Sequence, residues 1–172
     1  MLANLLPSLQ TPAVLGLPGG YDPLMPIPPQ QALAMLKDST SVHTLILDLS
    51  CNAIGDAGAQ GLAMLKDSTT LCTLDLSLCS LRGSRIGDAG AQALAMLKDS
   101  KSVHTLMLDL SGNEIGDAGA QALAMLKDTT NLGTLTLDLS CNEIGYAGAQ
   151  ALAMLKDSTT LQIGRASCRE RV

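Results

Sequence analysis

An α/β solenoid, an arc with parallel strands on its concave face and helices on its convex face, is the fold class that this sequence predicts. Three observations carry it. The segment Ala-Met-Leu-Lys-Asp occurs five times, beginning at Ala34, Ala63, Ala95, Ala124 and Ala153, at spacings of 29, 32, 29 and 29 residues, and periods of that length mark repeat architectures. Within a unit the apolar positions change from a step of two, at Leu45, Leu47 and Leu49, to helical spacing at Ala59, Leu62 and Leu65. The chain has no Phe, no Trp and only two Tyr, so its core is assembled from Leu, Ile, Ala and Met, blocks of similar size that suit a repeating interior.

Taken in chain order, residues 1–30 are rich in Pro and Gly, with Gly19-Gly20 and Pro28-Pro29, and show neither strand nor helix period. They are expected to lack regular structure. The solenoid is expected over 31–161, about four and a half units. Each unit opens with a short strand that sends its leucines to one face. Asn52, Ile54 and the Gly55-Asp56-Ala57-Gly58 turn follow, with Asp56 placed to cap the helix that starts there. Lys66 lies in the last turn, where a cation complements free carbonyls, and Asp67-Ser68-Thr69-Thr70 returns the chain to the next strand. Extra residues around Arg82 to Arg85 explain the single longer spacing and belong in a loop. Parallel strands stack at about 4.8 Å, whereas packed helices need roughly 8 to 10 Å, so the stack must curve with the strands inside.

These units resemble the leucine-rich-repeat family, in the long form of ribonuclease inhibitors and of the receptor arms of NOD-like proteins. Leu71-Cys-Thr-Leu74-Asp-Leu76-Ser-Leu-Cys79-Ser-Leu81 follows the family line LxxLxLxxCxL, and Asn52, Asn113 and Asn142 are read at the position held by Cys79. The units starting at Val42, Val103 and Leu132 carry two further residues before Asp-Leu-Ser-x-Asn, which predicts longer strands there. The resemblance implies a horseshoe that binds a protein, alone or as the sensing arm of a larger receptor. Residues 163–172, Ile-Gly-Arg-Ala-Ser-Cys-Arg-Glu-Arg-Val, abandon the repeat. They resemble the translation of a common sequencing adapter, so 162–172 is expected to be a non-native tail.

Charge narrows the partners. With 11 basic and 16 acidic residues the chain carries −5 and has no basic cluster inside the repeats, against nucleic-acid binding. A protein partner with a basic surface is expected. The first positive side chain is Lys37 and no apolar run approaches the ~20 residues of a membrane span. Five cysteines, an odd number without closely spaced pairs, point to a reducing, cytoplasmic setting. No phosphate-binding GxxxxGK[ST] loop occurs, and no cofactor is implied.

Candidate chemistry lies on the concave face. Counting back from the Asn or Cys position places Asp48, Asp75, Asp109 and Asp138 in one ladder of carboxylates, able to draw in a basic partner, although an aspartate here is common in the family for structural reasons. Ser50, Ser77, Ser111 and Ser140 form a parallel ladder suited to local hydrogen bonding; a nucleophilic serine needs a base and an orienting group beside it, and none accompanies these. The varying positions are Ile46, Thr73, Met107 and Thr136, with Cys51, Leu78, Gly112 and Cys141. Together with the aspartates they are the candidate partner contacts. His43, Cys72 and His104 occupy equivalent places, but the next unit offers Gly133 there and zinc wants four convergent ligands. The recurring methionines, Met35, Met64, Met96, Met125 and Met154, read as helix-to-helix packing, and Tyr146 replaces the capping Asp of the other units. A non-enzymatic interaction module is the expected function. The alternative is a structural or inert array, recently duplicated, whose units have not diverged.

Overall fold

The computed structural model describes residues 13–16, 39–52, 54–80, 85–157 and 162–167. Four strand–helix units stand in sequence: β2 (Thr44–Asp48) and α1 (Gly55–Ala63), β3 (Thr73–Ser77) and α2 (Asp88–Ala95), β4 (Thr105–Asp109) and α3 (Asp117–Ala124), β5 (Thr134–Asp138) and α4 (Tyr146–Ala153). Every helix tightens into a 3₁₀ turn formed by its Met-Leu-Lys-Asp. The strands pair parallel and in sequence order, flanked by β1 (Ala13–Gly16) and β6 (Gln162–Ser167) at the two edges. This is the leucine-rich-repeat solenoid that the sequence predicts.

The core is a set of columns. Leu45, Leu74, Leu106 and Leu135 are in register across the sheet, as are Leu47, Leu76, Leu108 and Leu137. Leu49, Leu78, Leu110 and Leu139 extend the wall beyond the strands, and Leu62, Leu94, Leu123 and Leu152 close it from the helices. All of these lie below a tenth exposed in one cluster. Burying a leucine contributes about 1.5–3 kcal/mol, and here each one packs against its own copies in the neighbouring units. That makes the interior a property of the stack.

Register corrects the expectation of longer strands. All four repeat strands have five residues, because the leucine columns fix the pairing, and a slip by one would turn every leucine outward. The difference between units is taken up after β3 instead. Thr73 pairs with Thr44 and Thr105, so Ser77, rather than Asp75, stands beside Asp48 and Asp109.

The two edges also depart from expectation. Ala13–Gly16 is a strand paired with β2, Val14 opposite Ile46 and Leu15 opposite Leu47. Gln162–Ser167 is a strand paired with β5, with an irregularity between Leu135 and Leu137. An edge strand offers unpaired N–H and C=O groups that any extended segment can meet; backbone pairing of this kind requires no repeat motif and carries no information about the origin of the tail. The rest of 1–30 and of the tail lies outside the described residues.

Polar groups tie each unit to the next. Asn113 is 1% exposed; its Nδ2 donates to the carbonyls of Leu78 (2.9 Å) and Leu110 (3.0 Å), while its Oδ1 accepts from the N–H of Ile86 (2.9 Å). Asn142 repeats this with Leu110, Leu139 and Ile115. The asparagines therefore satisfy buried turn groups, as such groups require.

The aspartates of the helix starts act one unit further on than expected. Asp56 Oδ1 accepts from the N–H groups of Gly87 and Gly90, at 2.8 Å each, at the start of α2. Asp88 does so for Gly116 and Gly119 of α3, and Asp117 for Gly145 and Gly148 of α4. Each carboxylate caps its successor's helix and not its own. Glycine is needed there, since a Cβ at Gly119 would lie 2.7 Å from Asp88 Oδ1 and 3.0 Å from the Ala91 Cβ. The position 29 residues before Asp56 is Ile27, which has no carboxylate to offer α1. That helix starts differently, at Gly55 with φ 57°, and runs nine residues against eight in the others.

Candidate functional site

On the concave face the outward side chains fall into columns. The first is Thr44, Thr73, Thr105 and Thr134; the second is Ile46, Asp75, Met107 and Thr136; the third is Asp48, Ser77, Asp109 and Asp138. The expected four-carboxylate ladder is thus broken at β3, where Ser77 interrupts it and Asp75 moves into the variable column between Ile46 and Met107. Alignment on the constant Thr-Leu-x-Leu of each strand, instead of counting back from the asparagine, reveals both this and the missed threonine column.

Three of the aspartates have local work. Asp48 accepts from the N–H of Ser50 at 3.0 Å, Asp138 from that of Ser140 at 2.9 Å, and Asp109 from both the N–H (3.0 Å) and the hydroxyl (2.7 Å) of Ser111. Such turns hold the chain as it leaves the strand. The Ser50 N–H and hydroxyl hold the Asp48 carboxyl below its ordinary pKa. Asp75 differs: desolvation first, and then the charge of Asp109, raise its pKa above the ordinary value. Its stretch of β3 supplies no serine turn. A carboxylate held against its own desolvation on an open face is the least satisfied of the four.

Other candidates are sorted by burial. Ile46, Thr73, Met107 and Thr136 are half-buried and open to the face, while Cys51 and Cys141 are exposed at its rim. Leu78 is a correction: it is 2% exposed, in the core beside Leu49 and Leu110, because the displaced register gives its expected station to Ser80. Ser80 lies with Cys51, Gly112 and Cys141, as the bonds Cys51 N–H to Cys79 O, Ser80 N–H to Ser111 O and Gly112 N–H to Ser140 O show. Cys51, Gly112 and Cys141 have φ of 60°, 71° and 58°. His43, Cys72, His104 and Gly133 do share a station, the N–H groups of Cys72, His104 and Gly133 each donating to the carbonyl of the residue before it in that series, yet no group of three potential ligands gathers into a metal site among the described residues.

Ion pairs lie away from this face. Lys66–Asp67, Lys98–Asp99 and Lys127–Asp128 join neighbours at the helix ends, and Arg85–Glu114 spans two turns. The described methionines are a further correction. Met64, Met96, Met125 and Met154 are 44–51% exposed, a row on the convex side and not the packing between helices expected of them, because the small Ala and Gly residues already bring the helices close. Met35 lies outside the described residues. No helix among the described residues is long and apolar enough to cross a membrane.

A stack of parallel strand–helix units with leucine columns, an asparagine ladder and a polar concave face defines a leucine-rich-repeat architecture. Residues 43–63, 104–124 and 134–153 match the family model described as Leucine Rich repeat. No curated protein matches this chain. Among solved structures, "Leiomodin-1 Actin-Binding Site 2 (ABS2)" is similar at a TM-score of 0.59 and 20% identity, over 84% of this chain and 79% of that one. At that identity the likeness is one of fold.

Proposed function

We propose that the chain is a protein-interaction module that takes a basic segment of a partner protein across its concave face. The observation that carries this reading is Asp75. It stands between Ile46 and Met107, with its charge disfavoured by desolvation and by Asp109. A cationic side chain would relieve both, while Ile46 and Met107 offer apolar surface for its stem. Thr73, Asp109, Thr136 and Asp138 line the same face, with Asp48 at its first unit and Cys51 and Cys141 on its rim. That the solved neighbour is named as an actin-binding site is in keeping with a binding role for such folds. The resemblance of the sequence to ribonuclease-inhibitor and NOD-like repeats supports reading the arc as a sensing arm.

The test is titration calorimetry of the folded protein with a lysine-rich peptide at increasing salt. Binding that weakens with salt, is lost in Asp75→Lys/Asp109→Lys, and survives Asp128→Lys on the opposite side is the expected result. No binding, or equal binding by the double variant, overturns the proposal. It would favour an array without a specific ligand, the reading that the near-identity of the units supports.

A further inference from the structure

We propose that Cys51 and Cys79 form a thiol pair that peroxide oxidises to an intramolecular disulfide joining the ends of the first two repeat strands. The bond from Cys51 N–H to the Cys79 carbonyl is 2.8 Å. Standard backbone dimensions then hold their Cα atoms no more than about 6.7 Å apart, within the separation that disulfides span. Both thiols are free, Cys51 exposed and Cys79 half-exposed. Exposure also favours the pair. At the same station Ser80 is buried, whereas Cys51, on left-handed backbone with φ 60°, is exposed, and Cys79 is partly exposed.

Among the described residues, the remaining cysteines have no such neighbour. Cys72 is seven residues before Cys79 along β3, roughly 20 Å by strand rise. Cys141 has a positive φ like Cys51, 58°, but shares its station with Gly112 of the preceding unit, whose N–H donates to the Ser140 carbonyl, and stands two strand spacings, about 10 Å, from Cys79. It is an internal control. In the reaction one thiolate sulfur attacks hydrogen peroxide, gaining one oxygen as the sulfenic acid while the other leaves as water. The second thiolate then attacks that sulfur, forming the S–S bond and releasing the hydroxyl as a second water. Two thiols are oxidised, one peroxide is reduced, and both thiol protons end in water.

The experiment treats the reduced, folded full chain with hydrogen peroxide, alkylates the remaining thiols and maps tryptic peptides without reduction. Cleavage after Lys66 and Arg82 separates Cys51 from the peptide that holds Cys72 and Cys79. The expected result is a Cys51–Cys79 link, reversed by dithiothreitol, retained in Cys72→Ser, and formed about tenfold or more faster than in urea, as local proximity requires. Three results overturn the proposal: oxidation of Cys141 with no link at Cys51, loss of the link in Cys72→Ser, or equal rates in the folded and urea-unfolded chain.

Discussion

At the scale of the residue, Asp75 and Asp48 set opposite responses to pH. The raised pKa of Asp75 means that the folded state holds its proton more tightly than the unfolded chain does. The associated stability is complete below the unfolded carboxylate range and is lost as pH rises through the folded value. Asp48, whose pKa is lowered, contributes stability above that range and loses it as pH falls. Asp75→Asn should therefore raise the melting temperature at neutral pH and bring little gain at strongly acidic pH, as thermal unfolding across the pH range would show. A gain of the same size at every pH would mean that packing, not ionisation, governs the site. Asn113 is the opposite case, a polar residue that the fold cannot lose. Asn113→Ala orphans the Leu78 carbonyl and the Ile86 N–H and takes one of two asparagine donors from the Leu110 carbonyl, and should destabilise by about 2–4 kcal/mol in urea titration, several times a single exposed hydrogen bond.

At the scale of the element, the helix starts and the strand register show what the sequence can and cannot disclose. Strand, turn and helix follow from periodicity, and all four units have a strand followed by a helix, because leucine spacing and glycine placement are local. The caps are not local. Asp88 sits at the first turn of α2, where a capping aspartate is expected, but its Oδ1 reaches Gly116 and Gly119, a partnership visible only once the units are stacked. The register of β3 was hidden for a related reason. Counting back from Cys79 as the equivalent of Asn52 ends at Asp75, two residues short of Ser77, the true partner of Asp48, whereas the strand itself is set by its leucines. Asp88→Ala should accordingly speed amide exchange at Gly116 and Gly119 of α3 and leave the start of α2 protected, at a cost of about 1 kcal/mol. Faster exchange confined to α2 would restore the local reading. Gly119→Ala should cost at least as much, since its Cβ meets Asp88, Ile115 and Ala91 at 2.7–3.0 Å.

At the scale of the whole molecule, stability is a sum over neighbours, because each leucine column crosses every unit. Leu108→Ala, at a fully buried site in the third strand–helix unit, should cost about 2–5 kcal/mol and loosen the units on both sides, whereas Met125→Ala, half-exposed on the convex row, should cost well under half of that. Hydrogen exchange resolved by unit distinguishes the two, and a purely local effect of Leu108→Ala would argue against a shared core. The proposed function rests at this scale on one open face of the arc, whose aspartates are legible singly but whose arrangement depends on the register of four strands. The broken carboxylate ladder gives that face a distinct centre at Asp75.

The forward reach of the capping aspartates has a consequence for how such an array lengthens. A duplication that inserts one whole unit brings a carboxylate for the unit after it and two glycine amides for the unit before it, so the copy fits without any compensating change. Reversing the order of donor and receiver is not possible, and the array has a direction. Tyr146 holds the donor position in α4, 84% exposed and without a carboxylate. A unit copied in behind α4 would find no carboxylate at that position for its helix, so inheritance of the repeat is unhindered only upstream of that tyrosine.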